Sequence, residues 1–285
     1  MIGAAVRRRA PAKVNLWLSV VGRRDDGYHL IDSLVAFTDL ADELEARPAD
    51  GLSLVLDGPF ARAIAGESDN LVFKAARLLA DQAGVAPKAS LFLTKNIPVA
   101  AGLGGGSADA AATLAALADL WRVALPGQEL LRLAAGVGAD VPMCLAGRTS
   151  LVSGVGDQLA PAPALPPCAI LLVNPGTALP TADVFAVRRG ANSPLRPVQP
   201  WSDFQGLLKA LAERGNDLTE SAISLRPAIA NVLAFLRGSC GARYAAMSGS
   251  GATCFALYGT LDEAQRAATG APSGWWRHAG ALVSS

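Results

Sequence analysis

Apolar and polar positions alternate over residues 12–21, with Val14, Leu16, Leu18 and Val20 on one face, which predicts a strand. Residues 22–27 are charged and turn-like, and residues 52–56 predict a second strand. Ser68-Asp69 stands ahead of Leu71, Val72, Ala75, Leu78 and Leu79, the form of a helix start followed by an apolar stripe. Residues 90–95 alternate again, and a glycine-rich run follows. An alanine-rich helix is predicted from about Ser107 to Trp121, and a second over residues 128–135. Leu151-Val152 reads as a short strand. Residues 160–167 hold four prolines, a composition that predicts a connection between domains. Strand signals resume at residues 169–173 and 254–258. Helical patterns cover residues 204–213, 227–237 and 261–268, and a loop rich in Pro and Arg occupies residues 188–200. The mixed order of strands and helices predicts an α+β protein of two domains, 1–159 and 160–285.

Composition narrows the choice of partners. The 285 residues fit about two domains. The formal net charge of +1 gives no broad electrostatic footprint for nucleic acid. Arg7, Arg8 and Arg9 are expected at the surface, flanking the first strand. No apolar stretch is long and charge-free enough to span a membrane. Lys13 and Asn15 interrupt what would be the apolar part of a secretory signal. Cys144, Cys168, Cys240 and Cys254 are far apart and form no CxxC pair, so they are read as buried free thiols of a cytoplasmic protein.

The candidate chemistry centres on Pro98, Val99, Ala100, Ala101, Gly102, Leu103, Gly104, Gly105, Gly106, Ser107 and Ala108. This run follows a strand and opens a helix. Glycines admit a close backbone approach, and the open N–H groups and positive dipole end of the helix favour an anion. Ser107 is read as the N-cap, with a hydroxyl able to meet a phosphate or its metal. The run lacks the lysine of a Walker A loop, and from Gly102 it lacks the last glycine of a dinucleotide fingerprint. Composition alone leaves a flexible turn without ligand open.

Other residues also read two ways. Lys13 and Asn15 stand in an apolar strand, either buried and paired or reaching solvent at its edge. Asp140, among small and apolar neighbours, suits a general base, a metal ligand, or a plain helix cap or turn aspartate. Tyr28 offers a ring to a flat base and His29 an imidazole to its edge, or both are structural. Residues 247–253 form a second glycine turn, either a ligand loop or a plain hairpin. Neither a serine-hydrolase elbow nor a His/Cys metal cluster is present in the sequence.

Three segments in order now resemble the motifs of the GHMP kinase superfamily. They are Ala10-Pro11-Ala12-Lys13-Val14-Asn15-Leu16, residues 98–111, and residues 248–253. Arg24-Asp25-Asp26-Gly27-Tyr28-His29 and Gly138-Ala139-Asp140-Val141-Pro142 resemble the branch whose acceptor is 4-diphosphocytidyl-2-C-methyl-D-erythritol. The resemblance implies the two-domain GHMP kinase fold, with the active site in the cleft between domains. It implies ATP, with Mg²⁺ on ligands it does not specify. Residues 98–108 would hold the ATP phosphates, and Asn70 and Lys95 would line the adenine side. Asp140 would take the proton from the 2-hydroxyl and Lys13 would keep it ionised. Tyr28 and Phe185 would sandwich the cytosine, and His29 would read its edge. Asn15, Thr181, Gly249 and Ser250 would meet the rest of the acceptor. Homoserine, mevalonate and sugar kinases are the runners-up within the superfamily. A nucleotide-binding regulator without activity is the alternative from another class. Residues 188–200 match no family pattern.

Overall fold

The computed structural model describes residues 4–64 and 70–283. The chain forms two compact units that interleave along the sequence. One comprises residues 1–12, 40–99 and 104–147, and the other residues 13–39, 100–103 and 148–285. The units therefore do not divide at residue 160. The cause lies in two long strands, β1 (Val6–Arg23) and β2 (His29–Arg47), each of which contributes residues to both units. The proline-rich segment, residues 160–167, falls inside the second of these units. It joins two strands within the second unit.

In the first unit, β3 (Leu52–Asp57) lies parallel to β4 (Ala89–Thr94), and β4 pairs antiparallel with residues 43–47 of β2. Helix α1 (Leu71–Ala83) presents Val72, Ala75, Ala76, Leu79 and Ala80 as one buried stripe. The sequence placed its start at Ser68-Asp69, which lie outside the described residues. The N-cap is Asn70, whose side chain accepts from the Val72 N–H at 2.9 Å. Gly84 ends the helix at φ 64°, with its N–H bonded to the carbonyls of Ala80 and Asp81. Helix α2 (Gly105–Trp121) buries alanines on most sides, so it packs without a polar face over its first three turns. Helices α3 (Gly127–Val137) and α4 (Val141–Ala146) pack with it. Arg7, Arg8 and Arg9 belong to β1 itself: Arg7 pairs with Glu45 at 2.6 Å and Arg8 with Asp119.

In the second unit, β5 (Ser150–Ser153) pairs with residues 33–35 of β2 and with β6 (Gln158–Pro161). Strand β7 (Ala169–Asn174) is buried at every position, as its unbroken apolar run requires of a central strand. β10 (Trp276–Val283) pairs antiparallel with β7 on one side, and β9 (Cys254–Tyr258) does so on the other. β8 (Tyr244–Met247) extends the sheet beyond β9. Helices α5 (Thr181–Val187), α6 (Phe204–Ala212), α7 (Thr219–Leu225), α8 (Ala228–Gly238) and α9 (Leu261–Thr269) complete the unit. Leu171 and Val173 of β7 share one core with Val184 of α5 and Val232 and Leu236 of α8. Among the described residues no helix is long and apolar enough to cross a membrane. All four cysteines are free. Cys144 and Cys254 are buried as expected, but Cys240 is exposed and Cys168 half-buried.

Candidate active site

In the first unit the glycine-rich segment opens α2. Gly104, at φ 65°, is the N-cap, so Ser107 is not the cap. Ser107 sits one turn in, where its backbone N–H still lacks a helical acceptor. Glycine adopts this left-handed conformation without a Cβ penalty, and it offers the first turn no side-chain cap. The first helical bond runs from the Ala108 N–H to the Gly104 carbonyl at 2.9 Å, leaving the N–H groups of Gly105, Gly106 and Ser107 at the open end. No acidic residue lies in the first turn. A Cβ on Gly106 would touch Leu71 of α1 at 3.7 Å, which places Asn70 and Leu71 beside this helix start.

Beneath the segment lies a buried charge cluster. Lys95 Nζ donates to Asp109 Oδ2 at 2.5 Å and to Asp42. Asp42 Oδ1 also accepts the Asn96 and Ile97 N–H groups, at 2.5 and 2.8 Å. Asp109 is one turn into α2, and a Cβ on Gly105 would come within 3.5 Å of Lys95 Nζ. The cluster thus ties β2, the end of β4 and the start of α2 together directly behind the glycines. Burial pushes the Asp109 carboxyl up to about 7, with Lys95 opposing and Asp42 adding to the rise. Lys95 was expected beside adenine, but its ammonium is taken by the two carboxylates. The sequence did not disclose the cluster, because residues 42, 95 and 109 are remote from one another. The one local signal is a carboxylate inside the alanine run at Asp109.

Asp140 is the N-cap position of α4, yet its side chain makes no cap hydrogen bond. Asp140 thus does not cap the helix through its side chain, and it stands in the turn that leads into α4.

In the second unit, Lys13 is only 7% exposed, so it is not an edge lysine reaching solvent. Its Nζ donates to Asn15 Oδ1 at 2.6 Å. Asn15 Nδ2 donates to Ser33 Oγ at 2.8 Å, and Ser33 Oγ donates to the Trp17 carbonyl at 2.5 Å. The Asn15 backbone N–H donates to Ser248 Oγ at 3.2 Å, which donates in turn to the Gly102 carbonyl at 3.0 Å. The Lys13 N–H reaches the Leu103 carbonyl at 3.0 Å. Residues 100–103 are thus clamped between the lysine strand and the second glycine turn. Ala100 holds φ 51°, a strained value for alanine. Gly249 packs so that a Cβ there would lie 3.1 Å from Asn15 Oδ1. Asn216 fixes this turn by donating to the Met247 and Gly249 carbonyls at 2.7 and 2.8 Å. Ser33 and Asn216 escaped the sequence reading, which held Ser248 only as part of the second glycine turn. Each is a polar residue whose partner lies far along the chain.

The turn between β8 and β9 is part of a hairpin, with Met247 opposite Cys254, and it also gathers site residues. Ser250 Oγ lies 2.8 Å from Thr181 Oγ1 at the start of α5. One turn further, the Phe185 ring stacks on His29 with centroids 4.9 Å apart and planes 26° apart. The ring expected opposite Phe185 was Tyr28, which instead is 66% exposed. Burial, then the charges of Arg23 and Arg188, lower the His29 pKa.

Comparison with known proteins decides the family. The GHMP kinases N terminal domain matches residues 70–148, and the GHMP kinases C terminal domain matches residues 198–275. A relative in Paramagnetospirillum magneticum, 4-diphosphocytidyl-2-C-methyl-D-erythritol kinase, is 51% identical over 96% of this chain and 98% of its own. The protein of the same name in Rhodospirillum rubrum is 48% identical over 98% of this chain and 93% of its own. This chain belongs to the 4-diphosphocytidyl-2-C-methyl-D-erythritol kinase family of GHMP kinases. A crystal structure of 4-(cytidine 5'-diphospho)-2C-methyl-D-erythritol kinase superposes with TM-score 0.80 at 37% identity, covering 98% of this chain and all of that one. A homoserine kinase from Cytophaga hutchinsonii, at TM-score 0.67 and 18% identity, shows the shared GHMP kinase fold. As a GHMP kinase the chain is a phosphotransferase that uses ATP, and its glycine segment at α2 lies within the residues that the N terminal domain matches.

Proposed function

We propose that this kinase transfers the γ-phosphate of ATP to the 2-hydroxyl of 4-diphosphocytidyl-2-C-methyl-D-erythritol, a step toward isopentenyl diphosphate. The observation that carries the choice of acceptor is the ring group of Tyr28, His29 and Phe185. A cytosine entering between Tyr28 and Phe185 displaces the His29 ring to the base's edge. There a neutral imidazole, favoured by the lowered pKa, hydrogen-bonds a neutral base. Homoserine and mevalonate have no flat ring to use such a group.

The open N–H groups of α2 bind the ATP phosphates, and the Lys95 cluster keeps that helix start in place. Pro98, Val99 and residues 100–103 form the rest of the loop, with Asn70 beside the nucleotide. Asp140 orients the accepting hydroxyl and receives its proton, and the Lys13 ammonium offers a donor that orients that hydroxyl. Asn15, Thr181, Gly249 and Ser250 position the polyol part of the acceptor.

Among the described residues no group of three His, Cys, Asp or Glu could hold a metal by itself. That fits Mg²⁺ arriving on ATP, an ion that keeps few protein ligands. Ser107, half-exposed on the first turn of α2, is a candidate hydroxyl ligand. Bound there, the ion supplies charge neutralisation to the transferring phosphate. With its reducing-type free thiols, the enzyme is assigned to the cytoplasm.

The test is ADP release from Mg·ATP with each of three acceptors: the diphosphocytidyl compound, homoserine and mevalonate. The proposal expects release with the first alone. Release with homoserine or mevalonate and none with the cytidine compound overturns it.

A further inference from the structure

Tyr28, His29 and Phe185 answer a base, and Thr181 and Ser250 answer hydroxyls, but none of them is a cation suited to a diphosphate. Two guanidinium groups stand beside the ring stack. Arg23 ends β1 at the tight turn into β2, where the Arg24 N–H bonds the Tyr28 carbonyl at 2.8 Å and the Gly27 N–H bonds the Arg24 carbonyl at 3.0 Å. The Arg23 side chain folds across this turn, and its Nε donates to the Gly27 carbonyl at 3.1 Å. A Cβ on Gly27 would lie 3.6 Å from Arg23 Nη2. The guanidinium is therefore held next to Tyr28 by a bond that uses Nε alone. Arg23 is exposed and pairs with no carboxylate among the described residues. Its neighbour Arg24 is already neutralised by Asp26 at 2.6 Å.

Arg188 approaches from the other side. Its N–H bonds the Phe185 carbonyl at 3.3 Å, one turn from the ring that stacks on His29. Its side chain is 7% exposed. Nη2 donates to the Ala191 carbonyl at 2.8 Å and lies 4.0 Å from Asp217 Oδ2. That oxygen already accepts the Val20 N–H and the Ser193 hydroxyl, both at 2.7 Å. The Arg188 charge is thus only partly answered, and its buried Nε has no partner among the described residues. Both guanidinium groups are near enough to His29 for their charges to lower its pKa, in keeping with their places on either side of the ring stack. The plain alternative makes Arg23 a staple of the hairpin and Arg188 a staple of residues 188–193.

We propose that Arg23 binds the diphosphate of the acceptor, and that Arg188 is a positioning residue that holds Phe185 against His29 and adds a second positive charge behind the stack. An arginine presents paired N–H donors that match phosphate oxygens, and Nη1 and Nη2 of Arg23 remain for that use. The arrangement makes the site select a nucleoside diphosphate over a nucleoside. This inference rests on the cytidine reading given above.

The test measures binding of cytidine and of CDP by calorimetry, with a non-hydrolysable ATP analogue saturating the nucleotide site. Wild-type protein is compared with Arg23→Gln and Arg23→Lys. In the wild type, CDP binds more tightly than cytidine. Arg23→Gln weakens CDP about tenfold or more, the change expected for a charge-assisted hydrogen bond, and leaves cytidine unchanged. Arg23→Lys recovers part of the loss. If CDP binds Arg23→Gln as tightly as wild type while cytidine still binds, Arg23 is only a staple and the inference falls alone. If cytidine fails to bind the wild type, the cytidine reading falls with it. For Arg188, the His29 titration followed by NMR separates charge from scaffold: Arg188→Met raises the His29 pKa and Arg188→Lys does not. An unchanged His29 titration in a folded Arg188→Met protein removes Arg188 from the role.

Discussion

Gly102 lies so close to Gly251 that a Cβ on Gly102 would stand 2.7 Å from the Gly251 carbonyl oxygen, and equally near that of Ser248. Gly102 also holds φ 76°. The phosphate-loop segment and the second glycine turn therefore touch backbone to backbone, with no room for a side chain. Gly102→Ala combines left-handed strain with a clash against main-chain atoms that cannot rotate away. Thermal denaturation should show a loss of roughly 3 kcal/mol, and the KM for ATP should rise. An alanine variant with wild-type melting and KM would mean that the segment repacks freely.

The buried cluster behind α2 gives a pH signature. A carboxyl raised to about 7 by burial holds its proton in the folded protein where the unfolded chain has lost it. Folding then becomes less favourable as pH rises from about 4 toward 7 through this group. Asn at position 109 mimics the protonated form and never ionises. The melting temperature of Asp109→Asn minus that of the wild type should increase from pH 5 to pH 8. A difference independent of pH would show that Asp109 is ionised throughout. Lys95→Met, which leaves two buried carboxylates facing each other, should lose about 3–5 kcal/mol.

The three motif segments were legible in the sequence because each concentrates glycine, or a lysine, where local propensity disfavours it. Lys13, Asn15 and residues 98–107 are of this kind. The strand β2 was not legible. Asp32, Ser33, Thr38 and Asp42 are buried along it and break the alternation on which strand reading depends. These polar residues are buried because distant partners satisfy them, as Asn15 does Ser33 and Lys95 does Asp42. Ser107 misled for a related reason. Serine is a common N-cap, but the φ of Gly104 moves the helix start three residues earlier. For the rings, the resemblance implied a cytosine between Tyr28 and Phe185; in the structure His29 stacks on Phe185, and Tyr28, at the hairpin turn of residues 24–28, is exposed.

His29 should set the acid limit of acceptor binding. Burial and the neighbouring arginines lower its pKa below the usual 6.5, so the imidazole stays neutral through neutral pH. The KM for the cytidine acceptor should be flat from pH 8.5 to 6.5 and rise only at lower pH, where His29 becomes charged. Over the same range kcat should change less than KM. A KM inflection at or above 6.5 that disappears in His29→Asn would contradict the direction of the shift.

Asp140→Asn separates binding from turnover. The amide keeps the shape of the side chain and loses its basicity. ATP and the acceptor should bind with unchanged affinity by calorimetry, while kcat falls about 10²–10⁴-fold. Turnover near the wild-type rate would remove Asp140 from proton transfer and leave it an orienting residue at most.

The central claim concerns where the phosphate goes, and ³¹P NMR of the product reads it directly. After reaction of Mg·ATP with 4-diphosphocytidyl-2-C-methyl-D-erythritol, one new phosphomonoester resonance should appear while the diphosphate resonances remain. Carbon coupling should place the new group on the tertiary oxygen at C2. Inorganic phosphate alone, or a monoester on the ribose or another hydroxyl, would contradict the account.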